Sequence, residues 1–275
     1  MNLGNILSYS LRIVNKNRVY STINLLGLSL GLSVFTLIFL FVRYEFGYDR
    51  YHANVDRIYR IYRDGDGEYQ GTDKYVIAAA AMADVLKESV KEADHITRIA
   101  MTSDVLVKAD GRSFFEAQIF AADPDFFNIF SLDVIAGENK GLLADPTKLV
   151  ICESVAIKWY GSVTNAIGKP VTAEKYKIFG DYVVQAVVRD MPFQSHFIAN
   201  VILPFEAYVK ATQPSDLQGF NNNNYWIYFT LQTRNERCCG GRILLTRALK
   251  PLLTNYDKPP VARFQRSLIF TLVSE

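Results

Sequence analysis

The stretch Ile23–Phe35, INLLGLSLGLSVF, holds the pentapeptide Gly27-Leu28-Ser29-Leu30-Gly31. Read as G-x-S-x-G, it matches the nucleophile elbow of a serine hydrolase, which needs a strand before the serine and a helix after it. Read as G-x-x-x-G in apolar surroundings, it is a close-packing face of a membrane helix. The surroundings decide. No charged side chain occurs from Val19 to Val42. As a helix this run spans roughly 36 Å, enough to cross a hydrocarbon core about 30 Å thick. A serine in such a run has no water, base or oxyanion donor within sequence reach. In the helical reading Gly27 and Gly31 share one face, Ser29 and Ser33 form a neighbouring small-residue row, and Asn24, one turn earlier, can hydrogen-bond across a helix contact. These five residues are the candidate helix-packing site.

The flanks of the run give an orientation. Arg12, Lys16 and Arg18 precede it without an acid, whereas Arg43, Glu45, Asp49, Arg50 and Asp56 follow it with both signs mixed. The excess of positive charge on one side predicts a cytoplasmic N-terminus and an exported C-terminal part. A cleaved signal peptide has a shorter apolar core and a small-residue cleavage site. Here the run exits through the bulky VRYEFGYDRYH, so an uncleaved anchor is expected. Tyr44, Phe46, Tyr48 and Tyr51 suit an aromatic belt at the outer interface. Before the run, Leu3, Ile6, Leu7, Leu11 and Val14 recur at helical spacing, which predicts an amphipathic helix over residues 1–18 on the inner leaflet. The expected organisation is thus 1–18 juxtamembrane helix, 19–42 membrane helix and 43–275 exported domain.

The formal net charge of +2 over 275 residues, with no basic block, argues against a nucleic-acid partner. Cys152, Cys238 and Cys239 make no disulfide framework, since two are adjacent. GSVTNAIGKPV fails as a phosphate loop: six residues separate Gly161 from Gly168, and Pro170 follows Lys169. His52, His95 and His196 lie far apart in no ligand spacing, so no metal or other cofactor is expected. Asp190, Ser195 and His196 fall on one short loop, RDMPFQSHF, and read as a strand-end turn rather than a catalytic triad. No enzymatic activity of its own is expected of the chain.

The exported part reads as strands with a few helices, an α+β domain. DRIYRIYRD is a strand, DGDGEYQGTD a turn region, and VIAAAAMADVLKESVKEA a helix over 76–93. VLVKADGRSFFEAQIF is a hairpin turned by Asp110-Gly111, with Val105 and Val107 inward on one arm and Phe115, Ala117 and Ile119 on the other. In AADPDFFNIF, Asp123 caps a short helix and Phe126, Phe127 and Phe130 face a core. TKLVICES is a strand leading to Ser154 as a helix cap, with Gly161 at the far end of that helix. YVVQAVVRDMP, HFIANVILPF, YWIYFTLQT and RSLIFTLV are further strands, and LLTRALKPLLTNY is a helix interrupted at Pro251.

Taken in order, NILSYSLRIVNKNRVYSTINLLGLSLGLSVFTLIFLFVRYEFGYDRYHANVDRIYRIYR resembles the opening of permease subunits of the MacB/FtsX-like ABC transporters encoded without a fused ATPase. ADPDFFNIFSLDVIAGENKGLLADPTKLVICESVAIKWYG, NAIGKPV and VVRDMPFQSHF continue the resemblance into the MacB-like periplasmic core domain. The resemblance covers residues 2 to about 232. It implies a Gram-negative inner-membrane protein, a separate cytoplasmic ABC ATPase subunit as partner, a permease dimer, and a periplasmic adaptor. It also implies a mechanotransmission or export role in which ATP-driven motion reaches the periplasmic domain. Such permeases resemble one helix, a periplasmic domain and three more helices, so the chain reads as a fragment or truncated product. RNERCCGGRILL departs from the pattern and reads as a frameshift or divergent loop over Arg234 to Leu245. The alternative left open is a signal-anchored sensor or binding module without a transport role.

Overall fold

A computed structural model describes residues 16–64, 74–102, 105–175, 178–211, 217, 219–220, 222–232 and 262–266. Residues 1–15 of the juxtamembrane helix expected over 1–18, nearly all of the turn region 64–73, Cys238 and Cys239, the divergent segment 234–245, the helix at 244–256 and almost all of the last strand at 266–273 lie outside them. The chain divides into two compact units between Tyr48 and Asp49.

The first unit is one helix, α1, Arg18–Glu45. Its 28 residues are long and apolar enough to cross a membrane, and none of them is buried. Arg43 stands in the last turn, where a cation meets the negative end of the helix dipole.

The second unit is built on a mixed sheet. Its strands, in chain order, are β1 Ile58–Asp64, β2 Lys74–Tyr75, β3 Ala93–Thr102, β4 Val105–Ala109, β5 Arg112–Glu116, β6 Ile119–Ala122, β7 Val134–Gly137, β8 Lys148–Cys152, β9 Pro170–Lys175, β10 Ile178–Val188, β11 Val201–Pro204, β12 Trp226–Leu231 and β13 Ala262–Arg266. The spatial order is β13-β1-β12-β3-β6-β11-β8-β10-β9-β4-β5, with β2 beside β1 and β7 beside β10. β6 runs parallel to β11 and β8 parallel to β10; the other pairs are antiparallel. The helices are α2 Met82–Ser89, α3 Phe126–Ile129, α4 Glu153–Tyr160, α5 Val163–Ala166 and α6 Phe205–Ala211. One membrane-length helix followed by a mixed α+β sheet domain is the fold class read from the sequence.

Central strands β6 and β11 are buried at every position, as strands covered on both faces must be. The main core gathers Phe120, Phe126, Phe130, Ile151, Trp159, Ile202 and Tyr228. A second core joins α2 to the other face of β1 and β12 through Met82, Leu86, Tyr59, Ile61, Ile227 and Phe229. β12 therefore alternates between two cores, sending Tyr228 into one and Ile227 and Phe229 into the other.

Several local expectations hold and several are corrected. Asp110 (φ 49°) and Gly111 (φ 70°) form the two-residue hairpin turn, with Ala109 opposite Arg112. Gly161 ends α4 in the left-handed conformation (φ 78°). The inward face of β5 is shifted by one residue, however. Phe115 is 75% exposed and Ala117 is exposed, while Glu116 is buried. The reason is chemical: Glu116 pairs with Lys158 and accepts from Trp159 Nε1 at 3.1 Å, so a buried carboxylate replaces the expected apolar contact. Ile119 belongs to a separate strand, β6.

The helix expected over 76–93 is confined to Met82–Ser89, because Ala78 exchanges both backbone hydrogen bonds with Tyr225 (2.8 and 3.2 Å). β3, which follows it, was hidden in sequence by Asp94, His95 and Arg98. Asp123 does not cap α3 with its side chain, since its carboxylate holds Arg98 through three bonds of 2.8 to 2.9 Å. Nor does Ser154 cap α4. The residue before that helix is Cys152, and Asp190 Oδ1 accepts from the Ser154 amide at 3.0 Å. The strand in HFIANVILPF shrinks to Val201–Pro204.

Candidate functional site

The five residues read from the sequence all lie on α1. Its backbone is continuous helix from Arg18 to Glu45, so Ser29 lacks the strand-turn-helix geometry that an elbow requires. The Ser29 hydroxyl donates to the Leu26 carbonyl at 2.9 Å, and Ser33 donates to the Ser29 carbonyl at 2.7 Å. Thr36 does the same to Leu32 at 2.8 Å. Each hydroxyl is thus satisfied by its own helix, the usual solution for Ser and Thr in an apolar medium. A Cβ added at Gly27 or Gly31 would meet nothing within 4 Å. That face is open for close approach of another backbone.

A second constellation, where the chain enters the sheet domain, was not read from the sequence. Asp49 adopts a positive φ of 54° and is buried. Such a conformation is uncommon for a residue other than glycine and is held here by several bonds. The Asp49 amide donates to the Gln194 carbonyl at 2.9 Å. Its Oδ1 accepts from the His196 amide at 3.0 Å, and its Oδ2 contacts His196 Nδ1 at 2.8 Å. His196 Nε2 contacts the Tyr228 hydroxyl at 2.7 Å, and Arg60 Nη1 donates to that hydroxyl at 3.3 Å. Tyr51 pairs with Ser195 Oγ at 2.9 Å. Tyr51 thus ties the entering chain to the 194–196 loop.

His52 completes the cluster. The Ser131 amide donates to its Nδ1 at 3.2 Å, so the neutral ring carries its proton on Nε2. That nitrogen is buried and finds no partner among the described residues. Phe130 fills the space between, with ring centroids 5.1 Å from His52, 5.2 Å from Tyr228 and 6.4 Å from His196.

The electrostatics follow from burial and partners. Burial opposes ionisation of Asp49, but hydrogen bonds and attraction from His196 outweigh it and hold the carboxyl below its ordinary range. Burial drives His52 down to about 4, so it is neutral near pH 7. Burial also raises the Tyr51 and Tyr228 phenols to about 12, so both stay protonated and able to donate. Both His196 ring nitrogens are engaged, by Asp49 and Tyr228, and Asp190 serves the Ser154 amide. Asp190, Ser195 and His196 thus have three separate partners and no common reaction centre. What the cluster does is fix the entering chain. Asp49 binds the 194–196 loop, and the loop binds β12 through Tyr228.

The family model for the MacB-like periplasmic core domain matches residues 21–236, which takes in most of α1 and the sheet domain. The chain belongs to this family. The MacB-like domain also has solved structural counterparts. A permease-protein domain from Porphyromonas gingivalis superposes with a TM-score of 0.61 at 20% identity, over 78% of this chain and 90% of that one. The periplasmic region of MacB from Actinobacillus actinomycetemcomitans gives 0.50 at 16% identity, over 76% and 88%. The extracellular domain of the noncanonic ABC-type transporter YknZ from Gram-positive bacteria gives 0.50 at 14% identity, over 76% and 99%. At such identities the likeness concerns the fold. No curated protein matches the chain significantly. Within the MacB-like domain the residues of the Asp49 cluster are scattered in sequence, in YDRYH and QSHF, and only the fold brings them together.

Proposed function

We propose that this protein is the transmembrane subunit of an ABC-type export or mechanotransmission system. A separate cytoplasmic ATPase hydrolyses ATP, and α1 carries the resulting motion to the periplasmic domain. The N-terminus is cytoplasmic and the bulk of the chain periplasmic, in a cell inner membrane. The protein works as a permease dimer, engages a periplasmic adaptor, and performs no catalysis of its own. The carrying observation is the family match over residues 21–236, which joins a membrane-length helix and a MacB-like domain in one chain.

Physical features support the reading. A mechanical link needs a stiff element and a firm attachment. α1 supplies the first, and its open Gly27/Gly31 face leaves room for a second helix. The Asp49–His196–Tyr228 chain of hydrogen bonds supplies the second, because it ties the first residue of the sheet domain to β12 between its two cores.

Affinity isolation of the full-length protein from native membranes tests the proposal. Near-stoichiometric recovery of an ABC ATPase is expected. Repeated isolation without one, with no ATPase encoded nearby, contradicts it and favours a signal-anchored sensor.

A further inference from the structure

Phe193 is the most exposed large apolar side chain among the described residues of the sheet domain, at 87%. It does not sit on a loose loop. Met191 and Phe197 on either side are buried, and the Ala199 amide donates to Met191 Sδ at 3.4 Å. Ser195 is buried against Tyr51, and His196 is held by Asp49. The exposed Pro192 and Phe193 therefore form the tip of a loop pinned at both ends.

This tip is leashed to the end of the membrane helix. The Asp49 amide bonds the carbonyl of Gln194, the neighbour of Phe193. Backbone dimensions then keep the Phe193 Cα within about 9 Å of the Asp49 nitrogen. Asp49 follows Val42, the last residue of the uncharged run, by only seven positions. The chain between stays wound: Phe46 bonds Val42 at 2.9 Å, Gly47 bonds Tyr44 at 3.0 Å and Tyr48 bonds Glu45 at 3.3 Å. At roughly 1.5–2 Å per residue it climbs about 10–14 Å, while the headgroup layer is about 5–8 Å deep on each side. A leash of about 9 Å therefore lets Phe193 reach down to the headgroup layer.

We propose that the Pro192–Phe193 tip docks on the outer membrane–water interface, with the Phe193 ring at the boundary of headgroups and acyl chains. That zone takes aromatic rings. The exposed Arg50, next to Asp49, is available to lipid phosphates. The domain then has two attachments to the bilayer, the covalent one through α1 and the Phe193 contact. This inference rests on α1 spanning the membrane.

The test is a photo-crosslinking amino acid, p-benzoylphenylalanine, introduced in the full-length protein in native membranes at Phe193, at Phe39 within α1, and at the exposed Phe115 of β5. Each change keeps an aromatic ring, and unchanged thermal melting verifies the fold. Mass spectrometry after irradiation is expected to find lipid adducts at 39 and at 193, with at least about fivefold more at 193 than at 115. Adducts at 39 with 193 no higher than 115 overturn the inference alone. Cross-linking of 193 to a second copy or to another protein overturns it in favour of a protein contact. Absence of adducts at both 39 and 193 overturns the membrane-spanning reading and the inference with it.

Discussion

In α1 polar side chains serve their own helix: Ser29 reaches back three residues and Ser33 four. Around Asp49 polar side chains reach across the fold: Asp49 to His196 spans 147 residues of sequence, and Tyr51 to Ser195 spans 144. The first arrangement leaves a helix self-sufficient in hydrogen bonds and free to change partners. The second makes an attachment that cannot be altered at one end without stranding a buried group at the other. The rod and the joint of the proposed mechanism call for these two different uses of polarity.

The glycines expose the contrast most sharply. At Gly137 φ is 89°, and an added Cβ would lie 2.3 Å from the Gln185 carbonyl oxygen and 2.8 Å from the Ala186 Cα. Gly137→Ala is expected to destabilise the sheet domain by about 3 kcal/mol or more, read by chemical denaturation. Gly27→Ala and Gly31→Ala meet open space and should leave helix content unchanged or gain up to about 1 kcal/mol of helix propensity.

Next in size is the joint. Asp49→Ala removes the acceptor for two His196 groups and is expected to cost about 2–4 kcal/mol in thermal melts. Melting like that of wild type would mean the cluster is not an attachment.

The histidines add a pH dependence with a definite sign. His52 is depressed from 6.5 to about 4, so protons bind the unfolded chain more readily than the folded one. Its contribution is complete above pH 6.5 and erodes as pH falls toward 4, by up to about 1.4 kcal/mol per pH unit. The Asp49 contribution is present above the ordinary carboxyl value of 3.8 and is lost as pH falls through its lower folded value. Replacing His52 with Phe should flatten the stability profile between pH 6.5 and 4 and leave the acid limb below 4 in place.

The smallest effect is expected at Ser29. Ser29→Ala removes only a local bond to Leu26 and should change stability by less than about 0.5 kcal/mol. Gly27→Leu or Gly31→Leu is expected to reduce association in the membrane, seen as loss of native oligomer or ATPase partner. A Ser29→Ala variant as damaged as these would return weight to that hydroxyl.

The membrane helix was legible because its signal is local: an uncharged run of sufficient length needs no knowledge of the fold. So was the Asp110-Gly111 turn, where two positive φ angles select the residue types. Where charged groups in or beside the core are paired, the local signal misleads. β3 was missed because Arg98 sits in it, paired to Asp123, and the inward face of β5 was misread because Glu116 is buried against Lys158. The helix at 76–93 was read too long because a run of alanines favours helix by propensity, while a backbone bridge from Ala78 to Tyr225 decides otherwise. The Asp49 cluster was beyond reach for a different reason. YDRYH and QSHF are each unremarkable, and their pairing is a product of topology.

The central claim is that motion enters the sheet domain through the Asp49 joint. Hydrogen exchange of the full-length protein in complex with the proposed ATPase, with and without nucleotide, tests it most directly. The account predicts that amides from Phe46 to Arg57, and those of β12 behind them, change protection when the ATPase binds ATP, and that Asp49→Asn abolishes the change in β12 while sparing α1. Identical exchange in both nucleotide states, or a β12 response that survives Asp49→Asn, contradicts it.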